Sequence, residues 1–107
     1  MTYEKFDELF EARVEKLREI GRTKGRKYTK HSGDRLGNFK EEAQRLGLSP
    51  SEVWHVFFDK HLQAIEDYIR TGESCGPELV ENHITDALMY LFLLEALIAD
   101  ERPNSDR

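Results

Sequence analysis

The stretch from Leu79 to Ala99, LVENHITDALMYLFLLEALIA, constrains the fold more than any other part of the chain. It is long and apolar enough to predict a central helix buried on nearly all sides. Asp86 sits inside it. An ionised carboxylate in such a helix costs several kcal/mol unless it is paired, hydrogen-bonded or bound to a cation. The partner of Asp86 is therefore the functional question. Asp86 and Glu95 interrupt the apolar run, so no uninterrupted stretch of about 20 residues predicts a membrane span. The acidic, amphipathic opening MTYEKFDELF does not read as a signal peptide.

The chain has 107 residues, the size of one domain, here 1–102 with a disordered tail at 103–107. That length buries only a modest core, which makes self-association a plausible supplement. Charged residues make up 35% and prolines number three, which suits a soluble helical protein better than a disordered one. The single cysteine, Cys75, allows no intrachain disulfide and fits a cytoplasmic setting, the host cytoplasm if the chain is phage-encoded. Residues 1–40 carry a formal charge of +4 and residues 41–107 one of −9. The basic strip Arg22, Lys24, Arg26, Lys27 and Lys30 either meets phosphate or complements a helix C-terminus.

Phe6, Leu9, Phe10, Arg13/Val14, Leu17 and Ile20 follow helical spacing, predicting a first helix with one buried stripe from about Thr2 to Gly21, with a basic extension to Tyr28. A loop over 29–37 follows, then a short helix from Asn38 to Leu46, with Asn38 and Glu41 as its capping pair and Gly47 as its stop. Ser49-Pro50-Ser51-Glu52 is the clearest start signal, opening a helix to about Arg70. Pro77 restarts the chain and the last helix runs to about Glu101. The expected fold is all-α, a compact bundle of three long helices and one short one, with sequential helices antiparallel.

On the last helix, Asn82 and His83 precede Asp86 at helical spacing, and Tyr90 continues that face. A carboxylate with a nearby imidazole and amide suits a divalent cation or a ligand. The alternative is a structural pair of Asp86 with Lys60 or Arg35. Asp59-Lys60-His61 interrupts the apolar pattern of the preceding helix, and His61 falls on its core stripe. In the loop, His31, Asp34, Arg35 and Asn38 gather polar groups where backbone amides are free, an arrangement suited to phosphate or a base edge, or to capping. His55, Glu66 and Asp67 read as surface. The chain has no Walker loop, dinucleotide fingerprint, paired-cysteine zinc site or HExxH.

The order of GRKYTKHSGDRLGNF, WHVFFDKHLQAI and ITDALMYLFLL resembles small phage and bacterial proteins related to the MazG-like all-α nucleotide pyrophosphohydrolases. The elements carrying the resemblance are Tyr28, Gly33, Asp34, Arg35, Asn38 and Phe39, then Lys60, then Asp86 with Tyr90. It implies an oligomeric helical domain that binds a nucleoside triphosphate through Mg2+ and releases pyrophosphate. Asp86 and Glu81 would hold the metal, and Asp86, Glu81 and Lys60 would form the catalytic set. Asp34, Arg35, Asn38, Lys60, His61, His83 and Tyr90 would face the nucleotide. The established enzymes carry ExxE on one helix and ExxD on the next. Here Asp59 and Glu66 lack that spacing, and His83 stands three residues before Asp86. The alternative is a non-catalytic helical oligomer whose basic strip contacts a protein or nucleic acid, the latter disfavoured by the net charge of −5.

Overall fold

The computed structural model describes residues 1–28, 33–73 and 78–101. His31, Lys30, Cys75, Pro77 and the tail lie outside the described residues, as do the side chains of Lys24, Arg26, Lys27 and Tyr28. The described chain is all-helical, with α1 (Tyr3–Tyr28), α2 (Gly37–Leu46), α3 (Pro50–Thr71), a π-helical segment (Leu79–Ile84) and α4 (Thr85–Glu101).

The start of α3 follows its sequence signal. Ser49 Oγ accepts from the Glu52 amide at 3.1 Å, the Glu52 carboxylate accepts from the Ser49 amide at 2.9 Å, and Pro50 takes the first helical position. Gly47 closes α2 at φ 72°, a left-handed conformation that other residues adopt only with strain. The start of α2 departs from expectation. Leu36, not Asn38, is the residue at its N-terminal boundary, and Asn38 already lies in the first turn, so its amide makes no cap hydrogen bond. Asp34 does the local work: its Oδ1 accepts from the Leu36 amide at 2.9 Å. Its Oδ2 pairs with Lys40 at 2.6 Å, and Lys40 reaches on to Asp100 at 2.8 Å. Lys40 thus ties the loop, α2 and the end of α4 together.

The core is built from one face of each of α2, α3 and α4: Leu36, Phe39, Ala43, Val53, Trp54, Leu93 and Leu97. Trp54 stacks on Phe58 with centroids 4.7 Å apart, and Phe39 meets Tyr90 edge-on at 6.3 Å. Pairs joining Ser51 to Glu101 and His61 to Asp86 show that α3 and α4 run antiparallel. α1 instead runs in the same direction as α4, joined through Arg13 to Thr85 and through the approach of Gly21 to Met89.

Two expectations about burial are corrected. The stripe of α1 is not buried along its length: Phe6, Leu9 and Phe10 remain 53%, 54% and 53% exposed, because only the later part of α1 packs on α4. Nor is α4 buried all round. Leu91, Phe92 and Ile98 face outward, and the Asp86 side chain is 31% exposed because it lies toward a cavity. By length and composition, Leu79–Glu101 does suffice to cross a membrane despite Asp86 and Glu95, a property shared by core helices of soluble proteins.

The last helix also begins differently from expectation. Residues 79–84 form a π turn, and the Thr85 hydroxyl donates to the Val80 carbonyl at 2.8 Å. Thr85 is fully buried, and the same oxygen accepts from Arg13 Nη1 at 2.7 Å. The wider turn changes which residues share a face: His83 turns toward α3 while Asn82 is exposed.

Candidate functional site

A cavity of about 290 Å³ lies between α2, α3 and α4, with Ile20 of α1 along one side. Packing alone does not explain its lining. Phe39, Phe57, Met89 and Leu93 form apolar walls, and Arg35, Asn38, Lys60, Asp86 and Tyr90 bring polar groups to the same space. The helices fix these positions simply. Arg35 and Asn38 flank the start of α2, which Asp34 and Lys40 anchor. Lys60 and His61 follow one another on α3, and Asp86 and Tyr90 stand one turn apart on α4.

His61 is 4% exposed and is the most deeply held polar side chain of the site. Its Nδ1 lies 3.1 Å from His83 Nδ1, and its Nε2 lies 3.9 Å from Asp86 Oδ2. Two facing Nδ1 atoms need one proton between them. The Asp86 carboxylate favours a proton on Nε2 of His61, so His83 is the Nδ1–H donor and His61 the acceptor. Burial pushes the His61 pKa below its usual range, against the pull of Asp86, and Lys60 and His83 add to the lowering. His61 is therefore neutral at neutral pH.

The cations behave differently. Arg35 is half-buried and Lys60 exposed, and neither forms an ion pair among the described residues. The expected structural pair of Asp86 with Lys60 or Arg35 is thus absent among these residues. Burial lowers the Arg35 pKa, partly offset by Tyr90, yet a guanidinium stays charged near neutral pH. Two cations and one loosely held carboxylate therefore border one cavity. Asn38 Oδ1 is shielded and has no hydrogen-bond partner among the described residues, an unsatisfied acceptor at the cavity wall.

The structure brings together Arg35, Asn38, Lys60, His61, Asp86 and Tyr90. Three other candidate residues, Asp34, Glu81 and His83, are not part of the lining. His83 supports His61 from behind, Asp34 holds the loop, and Glu81 is half-exposed with its Oε1 3.6 Å from Arg13 Nη2. The stabilising role of Lys40, bridging Asp34 and Asp100, has no signal in the local sequence, since Asp100 is 60 residues away.

No group of three His, Cys, Asp or Glu side chains among the described residues is placed to hold a metal ion, and Asp86 is the one carboxylate lining the cavity. Magnesium keeps several waters and is usually held by one or two carboxylates together with substrate phosphates, so a single lining carboxylate is too little to hold the ion in the absence of a phosphate ligand. The residues therefore do not fit a resident magnesium ion held by the protein alone.

No protein-family model, curated protein or solved structure matches the chain.

Proposed function

We propose that the protein binds a nucleotide in the α2–α3–α4 cavity. The observation that carries this reading is the meeting of Arg35 and Lys60 with Asp86 around an aromatic-walled space. Each part of a nucleotide finds matching chemistry there. Phe57 and Tyr90 offer ring surface to a base, with the buried Phe39 packed against both. Asp86 accepts from a sugar hydroxyl or an exocyclic amine, and Asn38 supplies an amide. Arg35 and the exposed Lys60 neutralise phosphate at the mouth. A volume of about 290 Å³ is at the small end of ligand cavities, so the nucleoside fills the space and the phosphates stay toward solvent. The proposed activity is binding, since hydrolysis at phosphorus needs cations on the transferring group and an activated water, and the lining offers the single carboxylate of Asp86 to hold or deprotonate them.

The test is a thermal-shift and calorimetric screen with nucleoside mono- and triphosphates, using inorganic phosphate and pyrophosphate as controls. A ligand at one hundred times its Kd stabilises the native state by about 2.7 kcal/mol. Stabilisation by at least one nucleotide, lost in Arg35→Met and Lys60→Met, is the expected result. Equal responses to nucleotides and inorganic phosphate, or none at all, would reject the reading.

A further inference from the structure

We infer that the cavity selects guanine nucleotides, the Asp86 carboxylate pairing with the two adjacent N–H groups on the guanine edge. The inference rests on the nucleotide reading above and goes beyond it by naming the base. Asp86 is the one carboxylate of the lining. Its one side-chain partner among the described residues is Nε2 of His61, 3.9 Å from Oδ2 and beyond hydrogen-bond reach. Both of its oxygens therefore keep acceptor capacity for a guest in the cavity.

The rings beside Asp86 decide which part of the guest meets it. Tyr90 stands one turn further along α4, and the His61 ring lies 5.5 Å from the Tyr90 ring at an angle of 37°. A flat base laid against Tyr90 and Phe57 turns its edge toward Asp86, while the exposed Lys60 meets the phosphate. The edges of the bases differ in what they offer a carboxylate. Guanine carries N1–H and the N2 amine side by side, so each oxygen receives a donor, in the forked manner of an arginine–carboxylate pair. Adenine and cytosine carry one amine beside a ring-nitrogen lone pair, which repels the second oxygen. Uracil and thymine carry one N–H flanked by two carbonyl oxygens. Only guanine satisfies both oxygens of Asp86. The guanine O6 beside that donor pair is an acceptor, and the Asn38 amide on the same cavity wall carries N–H groups to meet it.

The test is isothermal titration calorimetry of the full chain with guanosine, inosine, xanthosine, adenosine, cytidine and uridine monophosphates, repeated on Asp86→Asn. Inosine differs from guanosine only in lacking the N2 amine. Its monophosphate should bind about tenfold to hundredfold more weakly, the loss of one charge-assisted hydrogen bond, and this comparison needs no variant. The adenosine, cytidine and uridine nucleotides should bind more weakly than the guanosine one, because each leaves an oxygen of Asp86 unpaired. Xanthosine carries a carbonyl where guanosine carries the amine, so the wild-type carboxylate should reject it. Asp86→Asn presents one acceptor and one N–H donor, which match N1–H and that carbonyl, so the variant should prefer xanthosine to guanosine. A merely structural role for Asp86 would weaken all six nucleotides together and reverse no preference. Dideoxyguanosine monophosphate should bind nearly as well as guanosine monophosphate, since the contact is to the base. Equal affinity for the guanosine and inosine nucleotides, an Asp86→Asn variant that keeps the wild-type order, or affinity that follows the sugar hydroxyls and not the base would overturn the inference while nucleotide binding stands. Absence of binding by every nucleotide would overturn the underlying reading as well.

Discussion

Replacing Thr85 with Val keeps the side-chain shape and removes one oxygen, which isolates what that oxygen does. Thr85 is fully buried, donates to the Val80 carbonyl at 2.8 Å and accepts from the Arg13 guanidinium at 2.7 Å. The first is a neutral hydrogen bond worth about 1 kcal/mol; the second has a charged donor and is worth about 1.5–3 kcal/mol. Arg13 keeps its contact with Glu81 and is 19% exposed at the side chain, so part of its loss is recovered. A net cost of about 2–3 kcal/mol follows. With an unfolding entropy of about 2.1 cal/mol/K per residue, that lowers Tm by about 9–13 °C in a chain of this size. Differential scanning calorimetry measures it directly. A double-mutant cycle with Arg13→Met should show coupling of about 1 kcal/mol, because both changes remove the same contact. A Tm drop under about 3 °C, or strict additivity in the cycle, would refute the claim that this oxygen pins α1 and the π turn to α4.

Other outcomes follow from the same structure. Because burial lowers the His61 pKa, the unfolded chain binds more protons than the folded one as pH falls through the unfolded value of about 6.5. Stability is then full above that pH and declines below it by up to about 1.4 kcal/mol per pH unit, measured by urea titration, and His61→Phe should flatten the slope. Ser49→Ala removes the capping oxygen of α3 and should cost about 1 kcal/mol in the same assay. Leu97→Ala empties a site that is 1% exposed and should cost about 2–5 kcal/mol. Magnesium alone, titrated without nucleotide, should leave Tm unchanged, since one lining carboxylate makes no resident site.

Much of the fold could be read from local chemistry. Ser49 through Glu52 announced α3, Gly47 ended α2, and the spacing of Trp54, Phe57 and Phe58 marked the face that packs inward, because caps and stripes act within a turn or two. Contacts between distant residues were harder to read. His83 meets His61 because a π turn rotates it toward α3, and nothing in LVENHI distinguishes that turn from an ordinary one. Asn38 and Glu41 have capping spacing, yet Asp34 took the role by reaching Leu36 and Lys40 together. The stripe of α1 was visible, but period alone cannot say whether its cover comes from the same chain. Among the candidate residues, Arg35, Asn38, Lys60, His61, Asp86 and Tyr90 are legible in the sequence; the cavity they share exists only because three helices meet.

The chain carries a single tryptophan, and its indole Nε1 donates to the backbone carbonyl of Tyr90 at 2.6 Å. That carbonyl belongs to the residue whose ring walls the cavity, while the indole itself is 8% exposed and stacked on Phe58. The molecule thus comes with its own optical gauge. Any guest that nudges Tyr90 should shift the emission of Trp54, and unfolding should move it further to the red, so occupancy and integrity can be followed in one cuvette without a label.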